Sequence, residues 1–259
     1  MYVSFIQRIG SSSLRIAQEA ILEKHLCANR TFERQTMKQT RARFERWLEG
    51  SLTKRSPELE KILFAAIDAY DIFLDEHRLD ATLLAPIVEA ACDSHALLYE
   101  NVPRFLGKLT AEYSLARESV ERMAVDSKSH VRFNAILCLR KETPPDFTLR
   151  LLQQGLRDKS SRVRTKAADW AGRLRVSALV PDLETAFAIE KHANTKGTIE
   201  FELRLLRDGY ILEPDDDDDD SFSVTVRIPD GIGGGWVSRS ELEQRGIQAI
   251  AAELALRPS

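Results

Sequence analysis

Cysteine is scarce in this chain. Cys27, Cys92 and Cys138 are spread over 259 positions, too few and too far apart for a disulfide framework. Long apolar runs are missing too: no stretch approaches the roughly 20 residues needed to span a bilayer. The opening MYVSFIQRIGSSSL has no basic segment followed by a continuous apolar one, so no secretion signal is expected. A cytoplasmic protein without a membrane partner fits these absences.

Motifs for chemistry are equally sparse. There is no HExxH, no paired CxxC and no GxSxG, which removes the usual metalloprotease, zinc-ribbon and hydrolase signatures. Cys92-x-x-His95 and His25-x-Cys27 each supply half of the roughly four ligands that zinc collects. Gly233, Gly234 and Gly235 lack the lysine and hydroxyl residue that complete a phosphate loop, and read as a hairpin turn. No metal, cofactor or catalytic residue is therefore expected, and a non-enzymatic role follows.

Charge, by contrast, is plentiful: 30% of residues are charged, with a net charge of −3. Its distribution along the chain is uneven. Between positions 126 and 175 bases far outnumber acids, whereas residues 215–220 are all aspartate. Such a run reads as a solvated, self-repelling linker.

The strongest pattern is an internal repeat. DSKSHVRFNAILCL, from Asp126, matches DKSSRVRTKAADWA, from Asp158. Asp126 falls on Asp158, Val131 on Val163, Arg132 on Arg164 and Ala135 on Ala167. Each copy follows a shorter amphipathic helix, marked by Ala116, Val120 and Met123 in the first and by Leu149, Leu152 and Leu156 in the second. Pro144 and Pro145 separate the copies, with Asp146 as the expected N-cap. A looser copy starts at Asp93, with Leu98 in the place of Val131 and Pro103 interrupting its second helix. Another covers 181–209, through Leu183, Phe187, Ile199, Leu203 and Leu206, with Gly209 at the C′ position.

These residues resemble the HEAT-repeat family over about 116–175: a helix, an Asp-containing turn, then a helix opening Val-Arg-x-x-Ala. The resemblance implies an all-α fold, a right-handed α-solenoid of HEAT-like helix pairs over residues 1–212. It also implies that Arg132 and Arg164 pair with the turn aspartates Asp126 and Asp158 in a ladder between repeats. Solenoids of this kind present extended surfaces to macromolecular partners. A protein partner for an adaptor, scaffold or inhibitor is the first expectation, since a pI near 6.0 does not suit a dedicated nucleic-acid binder.

The flanks extend this reading. Helices are expected over 14–27 and 31–48, the second interleaving bases with aromatics. Ser56-Pro57-Glu58 is a helix start, and Asp80 caps the helix carrying Leu83, Leu84, Ile87 and Val88. After the acidic linker at 213–221, residues 222–259 read as a small β-hairpin and a capping helix. SFSVTVRI alternates as a strand, PDGIGGG turns, Trp236 and Val237 start the return, and Ser238 with Glu241 opens a helix that Gly246 splits.

The candidate partner-binding residues are the bases that the resemblance leaves free of the ladder, Lys128, Lys159, Arg162 and Lys166, with Trp170. Lys166-Ala167-Ala168-Asp169-Trp170 is also similar to a segment of the HEAT-like alkylpurine DNA glycosylases. That family carries a Trp-Asp-x-x-Asp type segment one repeat earlier for its catalytic carboxylate. The matching stretch here, ENVPRFLGKLTAEYSL, has neither the tryptophan nor the acid pair, and Trp170 is expected in the core. DNA binding or repair through the basic middle is the alternative.

Overall fold

The computed structural model describes residues 56–256 apart from 216 and 230, together with positions 42, 45 and 46. The expected helix at 14–27, nearly all of that at 31–48, and the His25–Cys27 pair lie outside the described residues. Packing divides the chain into two units, 1–90 and 91–259.

In the first unit, α1 (Pro57–Glu76) begins where Ser56 Oγ accepts the Leu59 N–H. It ends at His77, whose left-handed backbone lets its N–H reach the Phe73 carbonyl. Leu63, Ile67, Tyr70 and Leu74 fall on one buried stripe at the spacing expected of an amphipathic helix. In α2 (Ala81–Ala91), Asp80 accepts the N–H groups of Thr82 and Leu83, each at 3.0 Å, and Leu84 and Ile87 are buried.

The second unit is mostly helical and ends in a small sheet. Its helices are α3 (Ala96–Tyr99), α4 (Val102–Glu112), α5 (Ser114–Ala124), α6 (Ser129–Leu137), α7 (Pro145–Leu156), α8 (Ser161–Arg173), α9 (Val180–Ile189) and α10 (Ala193–Arg207). A short 3₁₀ turn, Ser177–Leu179, precedes α9. Helices α5, α7 and α9 pack in one row and α4, α6, α8 and α10 in a second, each helix also packing on its sequence neighbour. Val131, Ala135, Val163, Ala167, Leu152 and Ile199 supply the core between the rows.

The prolines behave differently from one another. The interruption expected at Pro103 falls just before it: α3 stops at Tyr99, and Pro103 sits in the first turn of α4, where a missing N–H is harmless. Asp146 is not the N-cap of α7. Pro144 holds that position, and Asp146 lies in the first turn, where its charge still suits the positive end of the helix dipole.

Helix α10 ends at Gly209, whose φ of +82° is the left-handed conformation that a C′ residue needs. The chain then enters a three-stranded antiparallel sheet rather than a hairpin. β1 (Tyr210–Pro214), β2 (Ser221–Ile228) and β3 (Gly231–Ser238) lie in that order. The acidic run is thus no free linker. Its described residues form the β1–β2 turn, with Asp215 N–H bonded to the Ser221 carbonyl and Asp220 held by Arg239 at 3.1 Å. The three glycines are not the turn either. Gly233, Gly234 and Gly235 pair with Val226, Thr225 and Val224 inside β3.

Val224, Val226, Ile228 and Val237 bury one sheet face against Ile250, Ala251 and Leu254 of α12 (Ile247–Leu256). The preceding α11 (Arg239–Arg245) starts where Ser238 Oγ accepts the Glu241 N–H, and stops at Gly246.

Candidate functional site

Each repeated turn uses its acid locally before any partner arrives. The carboxylates of Asp93, Asp126 and Asp158 accept the N–H two residues on, at 2.6, 2.7 and 2.7 Å. Glu190 does the same for Lys191 and His192, at 2.9 and 2.8 Å. The following helix, α3, α6, α8 or α10, therefore starts from the same tight turn in every copy.

Arginines then tie one copy to the next. Arg132 donates to both carboxylate oxygens of Asp158, at 2.7 and 2.8 Å. Its third nitrogen reaches the carbonyls of Asp126 and Ser127, at 2.8 and 2.9 Å. Arg164 repeats the design: 2.6 and 2.8 Å to the two oxygens of Glu190, and 2.7 Å to the Asp158 carbonyl. Both rungs span 26 residues. The pairing differs in detail from the one the resemblance implied. Each arginine takes only carbonyls from its own turn, two for Arg132 and one for Arg164, and reaches forward for its carboxylate, so Glu190, not Asp158, receives Arg164. Sequence reading missed Glu190 because the third copy has glutamate where the others have aspartate.

The rungs are buried, with 7% and 8% of the Arg132 and Asp158 side chains exposed. Burial raises the Asp158 carboxyl, but Arg132 and the Ser160 N–H outweigh it and hold the group below its usual value. Arg164, with the His192 and Lys191 N–H groups, overcomes desolvation at Glu190 and holds it at about 2. Two-pronged geometry backed by further bonds to backbone carbonyls is the arrangement in which a buried ion pair best repays its desolvation.

The ladder has two ends. One copy before Arg132 stands Tyr99, so among the described residues Asp126 accepts only the Lys128 N–H. One copy after Arg164 stands Lys196, which lies over the Phe187 ring at 4.9 Å instead of bonding an acid.

Tyr99 takes up a different task. Its ring meets Phe133 edge-on, centroids 6.4 Å apart and planes at 87°. The Arg162 guanidinium lies 4.3 Å from the Phe133 centroid and 5.7 Å from that of Tyr99. Lys166 approaches Phe133 at 5.7 Å and Trp170 at 4.8 Å, and Arg173 approaches Trp170 at 5.1 Å. Asp169 binds Lys166 at 3.0 Å and Arg173 at 2.7 Å. Arg162 is exposed and has no carboxylate partner among the described residues. Its planar donors are held in place by the ring beneath and remain turned to solvent.

The structure thus joins three of the five candidates. Arg162, Lys166 and Trp170 share one face of α8, beside Phe133 of α6 and Tyr99 of α3, two residues that sequence reading did not select. Their signal was available in the spacing, since Phe133 lies beside the ladder arginine and Tyr99 replaces it. Trp170 is half-buried rather than a core residue, and its indole N–H donates to the Leu139 carbonyl at 3.3 Å. Lys159 stands apart, in an open cleft of about 650 Å³ that Arg132, Arg150, Arg157 and Asp158 also line. Lys128 is exposed at the start of α6, close enough to Cys92 for its charge to act on that thiol.

No protein-family model matches the chain, and no curated protein matches it. Its own geometry carries the functional reading.

The remaining chemistry-bearing groups have structural work. His95 Nδ1 accepts the Leu97 N–H and starts α3. Burial pushes the Cys92 thiol up to about 11 and the Cys138 thiol up to about 12, which disfavours the reactive thiolate at neutral pH. Among the described residues no three His, Cys, Asp or Glu side chains converge as a metal site, and no helix is long and apolar enough to cross a membrane.

One further buried pair joins helix to sheet. Arg227 of β2 bonds Glu202 of α10, with 12% and 5% of the side chains exposed. Both lie against Gly172 of α8, where any Cβ would overlap the Glu202 carboxylate and the Arg227 guanidinium. Desolvation raises the Glu202 carboxyl above its usual value despite Arg227, and Arg227 Nε is buried without a partner among the described residues.

Proposed function

We propose that the chain is a HEAT-like α-solenoid binding module without chemistry of its own, and that the α6–α8 face grips an acidic surface on a protein partner. The observation that carries this reading is the cationic stripe Arg162–Lys166–Arg173, set on the rings of Tyr99, Phe133 and Trp170. Stacking fixes long cationic side chains that would otherwise lose rotamer entropy on binding. Asp169 offsets only part of their charge. A right-handed HEAT solenoid, as in the sequence reading, would display this stripe along its second-helix row.

The interleaving of cations and aromatics also suits nucleic acid, the second reading. It is the weaker one here, since the near faces of Phe133 and Trp170 are already covered by cations and are not open to a stacking base.

Affinity capture from native lysate, run with the wild-type chain and with an Arg162→Glu/Lys166→Glu double variant, tests the proposal beside a duplex-DNA binding assay. A protein retained by the wild type at low salt and lost from the variant is the expected result. Retention that is identical for both chains, or DNA binding with a steep salt slope and no protein retained, would replace it with the alternative.

A further inference from the structure

A second surface, built from other residues, runs along the turns. The cleft of about 650 Å³ lies between the Asp126 and Asp158 turns, and another of about 270 Å³ lies between the Asp158 and Glu190 turns. Arg157 and Asp158 line both clefts, so the two adjoin along the turns and read as one groove. The ladder rungs contribute to its walls, and their carboxylates are already engaged by Arg132 and Arg164. What remains for a ligand is mainly cationic and apolar, although the Asp126 carboxylate, bonded only to the Lys128 N–H among the described residues, also lines the larger cleft. Lys159 and Lys191 are exposed and form no ion pair among the described residues. Arg157 has an acid partner, Asp182, yet leaves 74% of its side chain in solvent, where such pairs are easily exchanged. Val125 and Ile189 stand beside the turns with 69% and 72% exposure.

We infer that this groove docks an extended acidic segment of a partner protein, with carboxylates recurring at every third residue. The charge of the groove selects an acid, and its exposed aliphatic residues favour a peptide over a sugar–phosphate chain. The spacing follows from the stack. Successive packed helices lie about 8–10 Å apart, and three residues of extended chain cover about 10 Å. Each carboxylate of such a segment meets one turn, first Lys159 and then Lys191, while the residues between rest on Val125, Arg157 and Ile189. The acidic run of this chain is not the occupant, because it is folded into the β1–β2 turn and held there by Arg239. The inference uses none of Arg162, Lys166 or Trp170 and stands apart from the proposed function.

The test is fluorescence anisotropy at low salt with two labelled peptides of identical composition, one with glutamate at every third position and one with its glutamates contiguous. The spaced peptide is expected to bind the wild type about fivefold more tightly, a difference near 1 kcal/mol. A Lys159→Glu/Lys191→Glu variant, altered only at exposed positions, should lose that preference, and Arg162→Glu should keep it. Equal binding of the two peptides overturns the inference. So does a preference that survives Lys159→Glu/Lys191→Glu but disappears in Arg162→Glu, which would assign the peptide to the α6–α8 face, and so does a duplex oligonucleotide that displaces the spaced peptide stoichiometrically.

Discussion

Glu190 and Glu202 are both buried, both bonded to an arginine, and separated by half of one helix, yet their surroundings push them in opposite directions. Glu190 receives two guanidinium bonds and two backbone N–H groups, and its carboxyl is held at about 2. Glu202 receives a single guanidinium bond from Arg227, and desolvation raises its carboxyl. Desolvation is the largest influence at Glu202 and is outweighed at Glu190, so burial and the number of converging donors together decide whether a buried charge is comfortable. The turn brings donors because its backbone N–H groups are free. The middle of α10 cannot, since its N–H groups are committed to the helix.

The comparison is most sharply broken at Arg132. Arg132→Ala leaves the Asp158 carboxylate and two carbonyls without their guanidinium, and a loss of about 3–5 kcal/mol is expected in urea unfolding. A loss under 1 kcal/mol would show that water satisfies the rung as well as arginine does.

Paired apolar replacements separate the two sites next. Arg164→Met with Glu190→Leu strands the Asp158 carbonyl and the Lys191 and His192 N–H groups, and should cost about 2–4 kcal/mol. Glu202→Leu with Arg227→Met removes a pair that is poorly satisfied already, and should be neutral or stabilising by up to about 2 kcal/mol. Equal costs for the two double variants would erase the distinction.

The smallest effect is in the pH dependence. A carboxyl held low contributes stability that is present above its ordinary value and lost as pH falls toward about 2, whereas a raised one gains stability as pH falls through its folded value. Between pH 7 and pH 3, Glu190→Gln should therefore gain on the wild type and Glu202→Gln should lose ground to it. Chemical unfolding across that range reads both slopes, and slopes of the same sign would refute the assignment.

Helix pairs and turns were legible in the sequence because they rest on local chemistry: apolar spacing, Asp at the turn, Ser56, Asp80 and Ser238 as caps. What was not legible depended on partners distant in sequence. Glu190 hides because glutamate replaces aspartate, though its backbone role is the same. Trp170 was expected in the core, but it is half-buried, with its indole N–H on the Leu139 carbonyl just past the end of α6, an oxygen that Arg140 also bonds. β1 is short and leads directly into the aspartates, so its pairing with β2 cannot be read from alternation. The glycines in β3 carry no strand propensity; there Ile228 and Leu254 fill the space that side chains would have taken.

The forward reach of each arginine gives the stack a grammar for growth. The Asp158 unit offers its acid to the unit before it and its arginine to the unit after it, so a duplicated 126–157 segment inserted after position 157 would find both partners waiting. The Asp126 and Lys196 ends follow no such rule, and lengthening the chain there would require new chemistry at the seam. Gain or loss of a whole unit is thus cheapest in the interior of the array, where the two best-matched copies now stand.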